Sequence, residues 1–423
     1  MYGFGRSTVN DDTMRSVSSY FLQGNTKELS QHITLPEPSF IDALNTLKQQ
    51  SYTTIPSNIV SLYSKEPLGL GDTKKCYGYQ QYPGHIVPTF YQNRDEAEQD
   101  IDYNNNDNQE IEKFKIVLQQ QQSQQEIEDK NVFNINQYFK ELNTFLFGNQ
   151  IIHSKLLSST QTLSMKYLSN TNKQGIVMVA DQQTNGKGRG GNQWVSPIGC
   201  LLYSFKCKQS DGNKLPFLQY VAGLAMIEAI HSFPIASDLN VRLKWPNDIY
   251  GDNNLKIGGI LCQSNYFDNQ FDIVIGIGIN VTNSNNPTIS INQMIHNNLI
   301  LKKEIEIEKE KEKEIIPVYI SRESLLSRFF NVFEQIYITF TKDGFKPLEK
   351  RYTDVWLHSN SVVQIKEKDN QYVKIIGLTD NGFLKSIECN SNGIQTSNII
   401  HELHPDGTSF DIENLILKKK EIK

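Results

Sequence analysis

The sequence has no surplus of positive charge, no long apolar run, no CxxC pair and a small apolar share for its length. Forty-two lysines and arginines against 47 aspartates and glutamates leave a net charge of −5 over 423 residues. General binding to nucleic acid or to an anionic membrane through a basic face therefore has no support, and neither partner is expected. The longest apolar runs, such as Gly276–Val281 and Ile198–Phe205, fall well short of the roughly 20 residues that cross a bilayer, so no transmembrane span is read. Met1–Arg15 contains Asn10, Asp11 and Asp12 and lacks an apolar stretch, which argues against a secretory signal and an Arg-rich transit peptide; a cytoplasmic protein is expected. Five cysteines (Cys76, Cys200, Cys207, Cys262 and Cys389) are an odd number without paired spacing, so neither a disulfide framework nor a zinc site is indicated.

The apolar share, 38% with tyrosine included, points to a polar segment diluting an ordinary folded part. That segment can be placed. Gln92–Asp129 is dominated by Asn, Gln, Asp and Glu, with Asn104–Asn106 and the Gln119–Gln125 tract, and is too poor in apolar residues to offset chain entropy. The expected organisation is an N-terminal extension over 1–91, partly structured at most, a disordered linker over 92–131, a main folded domain over 132–345 and a small β domain over 346–423.

After Val132 the pattern changes. Gly175–Ala180, Cys200–Phe205, Val241–Trp245, Ile257–Cys262 and Phe271–Ile277 are short apolar runs bounded by turn residues and read as strands. Pro216–Phe233, apolar all round behind a proline suited to a first helical position, reads as a buried helix. Leu325, Leu326, Phe329, Phe330, Phe333, Ile336, Tyr337 and Phe340 recur at helical spacing. The Lys302–Glu314 stretch, dense in both signs of charge, reads as a solvated face. Val362–Ile365, Tyr372–Leu378 and Phe383–Ile387, with Asp380–Gly382 as a turn, read as strands of the final β unit.

Asp181–Gly199 (DQQTNGKGRGGNQWVSPIG) is the most informative stretch. Gly186, Gly188 and Gly191 satisfy GxGxxG, but a dinucleotide fingerprint must open a helix, whereas Trp194, Pro197 and Gly199 lead straight into another strand. A P-loop fails too, because Gly188 follows Lys187 where a hydroxyl should meet magnesium. What remains is a loop whose glycines expose backbone N–H groups beside Lys187 and Arg189, suited to a phosphate or carboxylate. Lys244–Asp248 (KWPND) ends one expected strand, Lys256–Gly259 (KIGG) begins the next, and Gly276–Asn280 (GIGIN) gives a third glycine-relieved strand end with an amide. A solvent-exposed hairpin for the loop and an ordinary surface lysine at 256 are the plain alternatives.

GKGRGGNQWVSPIG, KWPNDIY, KIGG and GIGIN stand in the order and spacing of the biotin protein ligases, and the sequence most resembles the eukaryotic holocarboxylase synthetases. The resemblance runs over roughly Phe133–Lys419, including HPDGTSFD near the C-terminus. It implies an α+β fold: a mixed-sheet catalytic domain like that of class II aminoacyl-tRNA synthetases and lipoyl ligases, followed by a small SH3-like β domain. By position it implies that Ser159, Thr160 and Gln161 line a biotin pocket, with Gln161 where the family has Asn, and that Gln183 contacts biotin. It implies that Lys187, Gly188 and Arg189 fold over carboxylate and phosphate, that Trp194 lies by the adenylate, and that Lys256 is the active-site lysine beside Gly259. Asn247, Asp248 and Asn280 resemble polar residues around the nucleotide, and no metal ligand is assigned.

The implied activity is ATP-dependent formation of biotinyl-5′-AMP and transfer of biotin to a lysine of a carboxyl carrier domain, with ATP and Mg2+ as cofactors. Such chemistry needs positioning and charge stabilisation more than a protein nucleophile, in keeping with the lack of a Ser-His-Asp or Cys-His constellation. His401 and His404 are the one histidine pair with metal-like spacing. A lipoate–protein ligase of the same fold is the first alternative. A non-catalytic scaffold or DNA-binding protein is the second, and the polar, acidic linker without a helix-turn-helix speaks against DNA.

Overall fold

A computed structural model describes residues 59–64, 89–91, 115–118, 129–168, 174–283, 288–307, 319–366, 370–405, 408–411 and 416–419. Most of the expected linker, 92–114 and 119–128, lies outside these residues. Three strands come from the N-terminal part: β1 (Ile59–Ser64), β2 (Thr89–Tyr91) and β3 (Lys115–Leu118). The last of these falls inside the stretch read as a linker, and β1 lies between it and the catalytic domain.

The catalytic part starts with α1 (Ile135–Glu141), then β4 (Gln150–Leu157), α2 (Thr160–Tyr167) and β5 (Ile176–Gln183). A small hairpin follows, β6 (Gly186–Lys187) and β7 (Gln193–Trp194), and then β8 (Cys200–Gln209). Helix α3 (Leu218–His231) leads to β9 (Arg242–Lys244), β10 (Asp248–Tyr250), β11 (Lys256–Phe267) and β12 (Gln270–Asn280). Helices α4 (Ile291–Ile307), α5 (Arg322–Asp343) and α6 (Lys346–Asp354) close this part. The ten-stranded sheet runs β2-β3-β1-β4-β5-β8-β12-β11-β10-β9. It is mixed: β4 and β5 pair in parallel, while β5, β8, β12, β11, β10 and β9 pair antiparallel in succession.

Period-two alternation divides β8 between two environments. Tyr203 and Phe205 meet the aromatic row of α5, with Phe205 edge-on to Phe333 at 5.0 Å between ring centroids. Ser204 points the other way and hydrogen-bonds Thr160 of α2. One face is thus an aromatic core under α3 and α5, and the other carries α2 and the polar groups described below. The helical spacing at 325–340 matches α5, whose Leu325, Phe329, Phe330, Phe333 and Phe340 are all buried. Pro216 does not open α3; it sits within a 3₁₀ turn, Gly212–Phe217, that precedes it. Residues 308–314 of the charged stretch lie outside the described residues, and its first part continues α4.

The C-terminal part is a six-stranded sheet, β13 (Val362–Ile365), β14 (Gln371–Leu378), β15 (Leu384–Cys389), β16 (Gln395–Leu403), β17 (Thr408–Asp411) and β18 (Ile416–Lys419), antiparallel except for β13 with β18. The architecture is therefore α+β, a mixed-sheet domain followed by a mainly antiparallel one. His401 bonds Glu388 and His404 lies on Phe383, so the metal-like spacing of these two serves packing instead.

A buried charge cluster ties the sheet to its helices. Asp181, on β5, accepts from Arg322 Nη1 at 3.0 Å and from the Phe133 backbone N–H at 2.9 Å, and its second oxygen meets His153 Nε2 at 3.0 Å. Removing one member of a buried set leaves the others desolvated and uncompensated. Asp181→Leu is accordingly expected to cost about 3–5 kcal/mol, measured by urea denaturation; a midpoint unchanged from wild type would show the cluster to be energetically neutral.

Candidate active site

A cavity of about 230 Å³ opens on the α2 side of the sheet. Its floor is β12, and the sequence of that strand explains why a cavity exists there. Gly276 and Gly278 lie two residues apart on one face, about 7 Å apart along the strand, in the interior of β12 rather than at a strand end as GIGIN had suggested. A Cβ at 276 would come within 2.3 Å of Gln161 Oε1, and one at 278 within 2.7 Å of the Trp194 indole. Only bare backbone admits both side chains.

Around Gly276 the groups are neutral. Ser159 caps α2, accepting from Thr162 N–H. Gln183 Oε1 accepts from both the N–H and the hydroxyl of Thr160, at 2.7 and 3.1 Å, while its Nε2 donates to Ser196. Ser204 donates to Thr160 Oγ1 at 2.9 Å, and Gln161 Nε2 donates to Gln263 Oε1 and the Val274 carbonyl. The result is a dense set of amides and hydroxyls without a formal charge.

Around Gly278 the character reverses. Lys256 Nζ sits 2.6 Å from Asp248 Oδ1 and 5.6 Å from the Trp194 ring centroid. The indole N–H of Trp194 is buried with no hydrogen-bond partner, a donor waiting for an acceptor. Gly259, opposite Gly278 in the ladder, borders Lys256 and Asp248, where an added Cβ would meet them only at ordinary contact distances of 3.5–3.6 Å. Asn247 is braced twice on the backbone of one residue, its own main-chain carbonyl accepting from Ile260 N–H and its side-chain amide donating to Ile260 O.

The glycine-rich stretch is the hairpin β6–β7, with Gly190 and Gly191 at φ 67° and 80°, the left-handed region that favours glycine. It carries Lys187, Gly188 and Arg189 to the cavity wall. Arg189 Nη1 donates to the Pro405 carbonyl of the C-terminal part at 2.8 Å, so the loop spans both domains. Among the described residues, the wall bears Lys187, Arg189, Lys244 and Lys256 against a single carboxylate, Asp248. A cavity with that balance draws anions.

Twelve of the expected site residues, Ser159, Thr160, Gln161, Gln183, Lys187, Gly188, Arg189, Trp194, Asn247, Asp248, Lys256 and Gly259, line this one cavity. Asn280 does not. It lies on the same face of β12 one step further along, where its amide is taken up by Ile289 O, Asn283 and Cys200. That places it as a brace for the turn after β12.

Known proteins resemble the chain over this region. A profile of the biotin/lipoate A/B protein ligase family matches residues 153–280. Biotin–protein ligase 2 of Arabidopsis thaliana is 36% identical over 318 residues, covering 73% of this chain and 88% of the relative. The chain belongs to the biotin–protein ligase family. The human biotin–protein ligase is 36% identical over 294 residues, 68% of this chain and 38% of the human protein. A biotin protein ligase from Aquifex aeolicus in complex with biotin and ATP aligns with a TM-score of 0.43 at 24% identity, over 64% of this chain and 99% of that one.

For a biotin–protein ligase family member, several wall residues were not singled out from sequence. Lys244 was visible as the first residue of KWPND. Ser204 had a signal as well, a hydroxyl inside the apolar run CLLYSF, and a buried polar residue is the informative case. Gln193 and Asn192 had none, since their approach depends on how the β6–β7 hairpin folds.

Trp245 and Trp356 are buried, whereas Trp194 is partly exposed, so quenching of tryptophan fluorescence reports chiefly on Trp194. Gly278→Val is expected to push the indole off β12 and raise acrylamide quenching, at a stability cost of about 1–3 kcal/mol. Wild-type quenching in this variant would mean that the indole does not need the bare strand.

Proposed function

We propose that the chain is an ATP-dependent biotin–protein ligase, joining biotin to a lysine of carboxyl carrier domains of biotin-dependent enzymes through biotinyl-5′-AMP. The observation that carries this reading is the change of character along β12, from neutral amides and hydroxyls at Gly276 to cations and an indole at Gly278. A neutral urea ring matches the first end, and a carboxylate meeting a triphosphate matches the second. The two Arabidopsis thaliana relatives, covered over 88% and 79% of their length, are named biotin–protein ligases, which favours biotin over lipoate.

In the first step an oxygen of the biotin carboxylate attacks the α-phosphorus of ATP and pyrophosphate leaves. Ser159, Thr160, Gln161 and Gln183 would hold the ring, and Lys187, Arg189 and Lys256 would offset charge on the carboxylate and phosphate oxygens in flight. Trp194 would cover the adenylate, its indole N–H free to donate. Asn247 and Asp248 would border the nucleotide, Asp248 mainly by fixing the Lys256 ammonium. In the second step a carrier lysine amine attacks the mixed-anhydride carbonyl, AMP leaves, and the amine gives up a proton. No group of three or more His, Cys, Asp or Glu fit for a metal occurs among the described residues. The donor set, one carboxylate amid cations, fits Mg2+ carried in on the triphosphate, where it would neutralise phosphate charge.

No helix among the described residues is long and apolar enough to cross a membrane. ATP–pyrophosphate exchange tests the reading. Exchange is expected with biotin and not with lipoate, and Lys256→Ala should reduce it at least 10²-fold, roughly the scale of losing one oriented electrostatic group. Exchange driven by lipoate alone would reassign the substrate, and full exchange by Lys256→Ala would remove the lysine from the chemistry.

A further inference from the structure

The KWPND turn, which borders the cationic end of the cavity, is held from outside the catalytic sheet. Its first residues lie at the sheet's last strand, β9, and the segment Val355–Leu357 runs beside β9 in parallel. Leu243 N–H donates to Val355 O at 2.8 Å, and Leu357 N–H donates to Leu243 O at 2.9 Å. In a regular parallel ladder the next donor, Trp245 N–H, would go to the Leu357 carbonyl. It goes instead to a side chain, His358 Nε2, at 2.9 Å.

His358 lies where the chain turns toward β13 and the C-terminal sheet, and it is fully buried. Accepting at Nε2 places the ring proton on Nδ1. Burial, reinforced by the Lys244 ammonium, pushes its pKa down to about 3, so the imidazole stays a neutral acceptor at ordinary pH. The indole of Trp245 is fixed by the same neighbourhood: its Nε1 donates to Tyr220 Oη at 2.8 Å, and Tyr220 donates to Gly382 O at 2.6 Å in the β14–β15 turn. Two residues on from Trp245, Asn247 grips Ile260, and Asp248 holds Lys256.

We propose that His358 is a positioning residue for the nucleotide half of the site, setting the KWPND turn by accepting the Trp245 N–H and so fixing Asn247, Asp248 and the Lys256 ammonium. The assignment rests on the proposed function of the cavity. Nothing at the neutral end around Gly276 hangs on this bond: Thr160, Gln183, Ser196 and Ser204 are held by one another. A defect at His358 therefore separates the two substrates, which general loosening of the fold does not do.

The test uses the full chain with His358→Gln, whose amide oxygen can accept in place of Nε2, His358→Asn, whose oxygen falls short, and His358→Phe, which fills the space without an acceptor. KM for ATP and for biotin are measured separately by pyrophosphate exchange, with the melting temperature of each variant. His358→Phe and His358→Asn are expected to raise KM for ATP on the order of 10-fold, as small misplacements do, with KM for biotin within about 2-fold and His358→Gln returning most of the loss. Equal shifts in both KM values, or equal behaviour of Gln and Asn, would overturn the proposal. Should His358→Phe fail to fold, the Gln and Asn pair decides. If the wild type shows no exchange with biotin, it is the reading of the cavity that fails; the Kd of a non-hydrolysable ATP analogue across the same variants then still measures whether His358 acts on the nucleotide half.

Discussion

The site depends on what β12 leaves out. A central strand between β8 and β11 would ordinarily fill both faces with side chains, as this one does with Ile273, Ile275, Ile277 and Ile279 on the core side. On the opposite face, Gly276 and Gly278 withhold a Cβ where Gln161 and Trp194 come down onto the backbone. The strand thus carries a packed aromatic and aliphatic core beneath and a polar cavity above, with no change in its pairing. Because the missing atoms are two residues apart, the cavity has two compartments about 7 Å apart along one strand, and the neighbouring elements give them unlike chemistry.

A second dependence runs between the domains. Trp245 sits in the core with its indole on Tyr220 and its backbone on His358, and Tyr220 continues to Gly382 in the C-terminal sheet. Arg189 makes a separate link from the glycine-rich hairpin to Pro405. Both segments bordering the cationic compartment therefore lean on the C-terminal part, while the neutral compartment is held within the catalytic sheet. On the proposed reading, the nucleotide side is the one exposed to changes in domain packing.

Much of this was legible in the sequence because the relevant patterns are local. The aromatic spacing of α5, the apolar runs of β8 and β12, and the C-terminal strands β13 and β14 could be read from periodicity and turn residues. The four motifs, three of them glycine-bearing, could be read as one constellation, and they do converge on one cavity. What was not legible depends on long-range placement. β4 carries His153, Ser154 and Lys155 in its interior, so it lacks a strand's alternation, and its buried His153 is explained only by Asp181, which Arg322 also meets, far along the chain. Asn280 looked like its motif neighbours but lies one pleat beyond the cavity. His358, in a stretch with no motif, matters only through the course its chain takes beside β9.

On the proposed reading, one cavity unites biotin with the adenylyl group of ATP. Incubating the chain with biotin and α-labelled ATP, then isolating the protein from free nucleotide, measures this directly. Close to one labelled biotinyl-AMP is expected to be retained per chain, formed only when both substrates are present and discharged as AMP when a carrier domain is added. Label retained equally without biotin, or no retained label with both substrates, would contradict it.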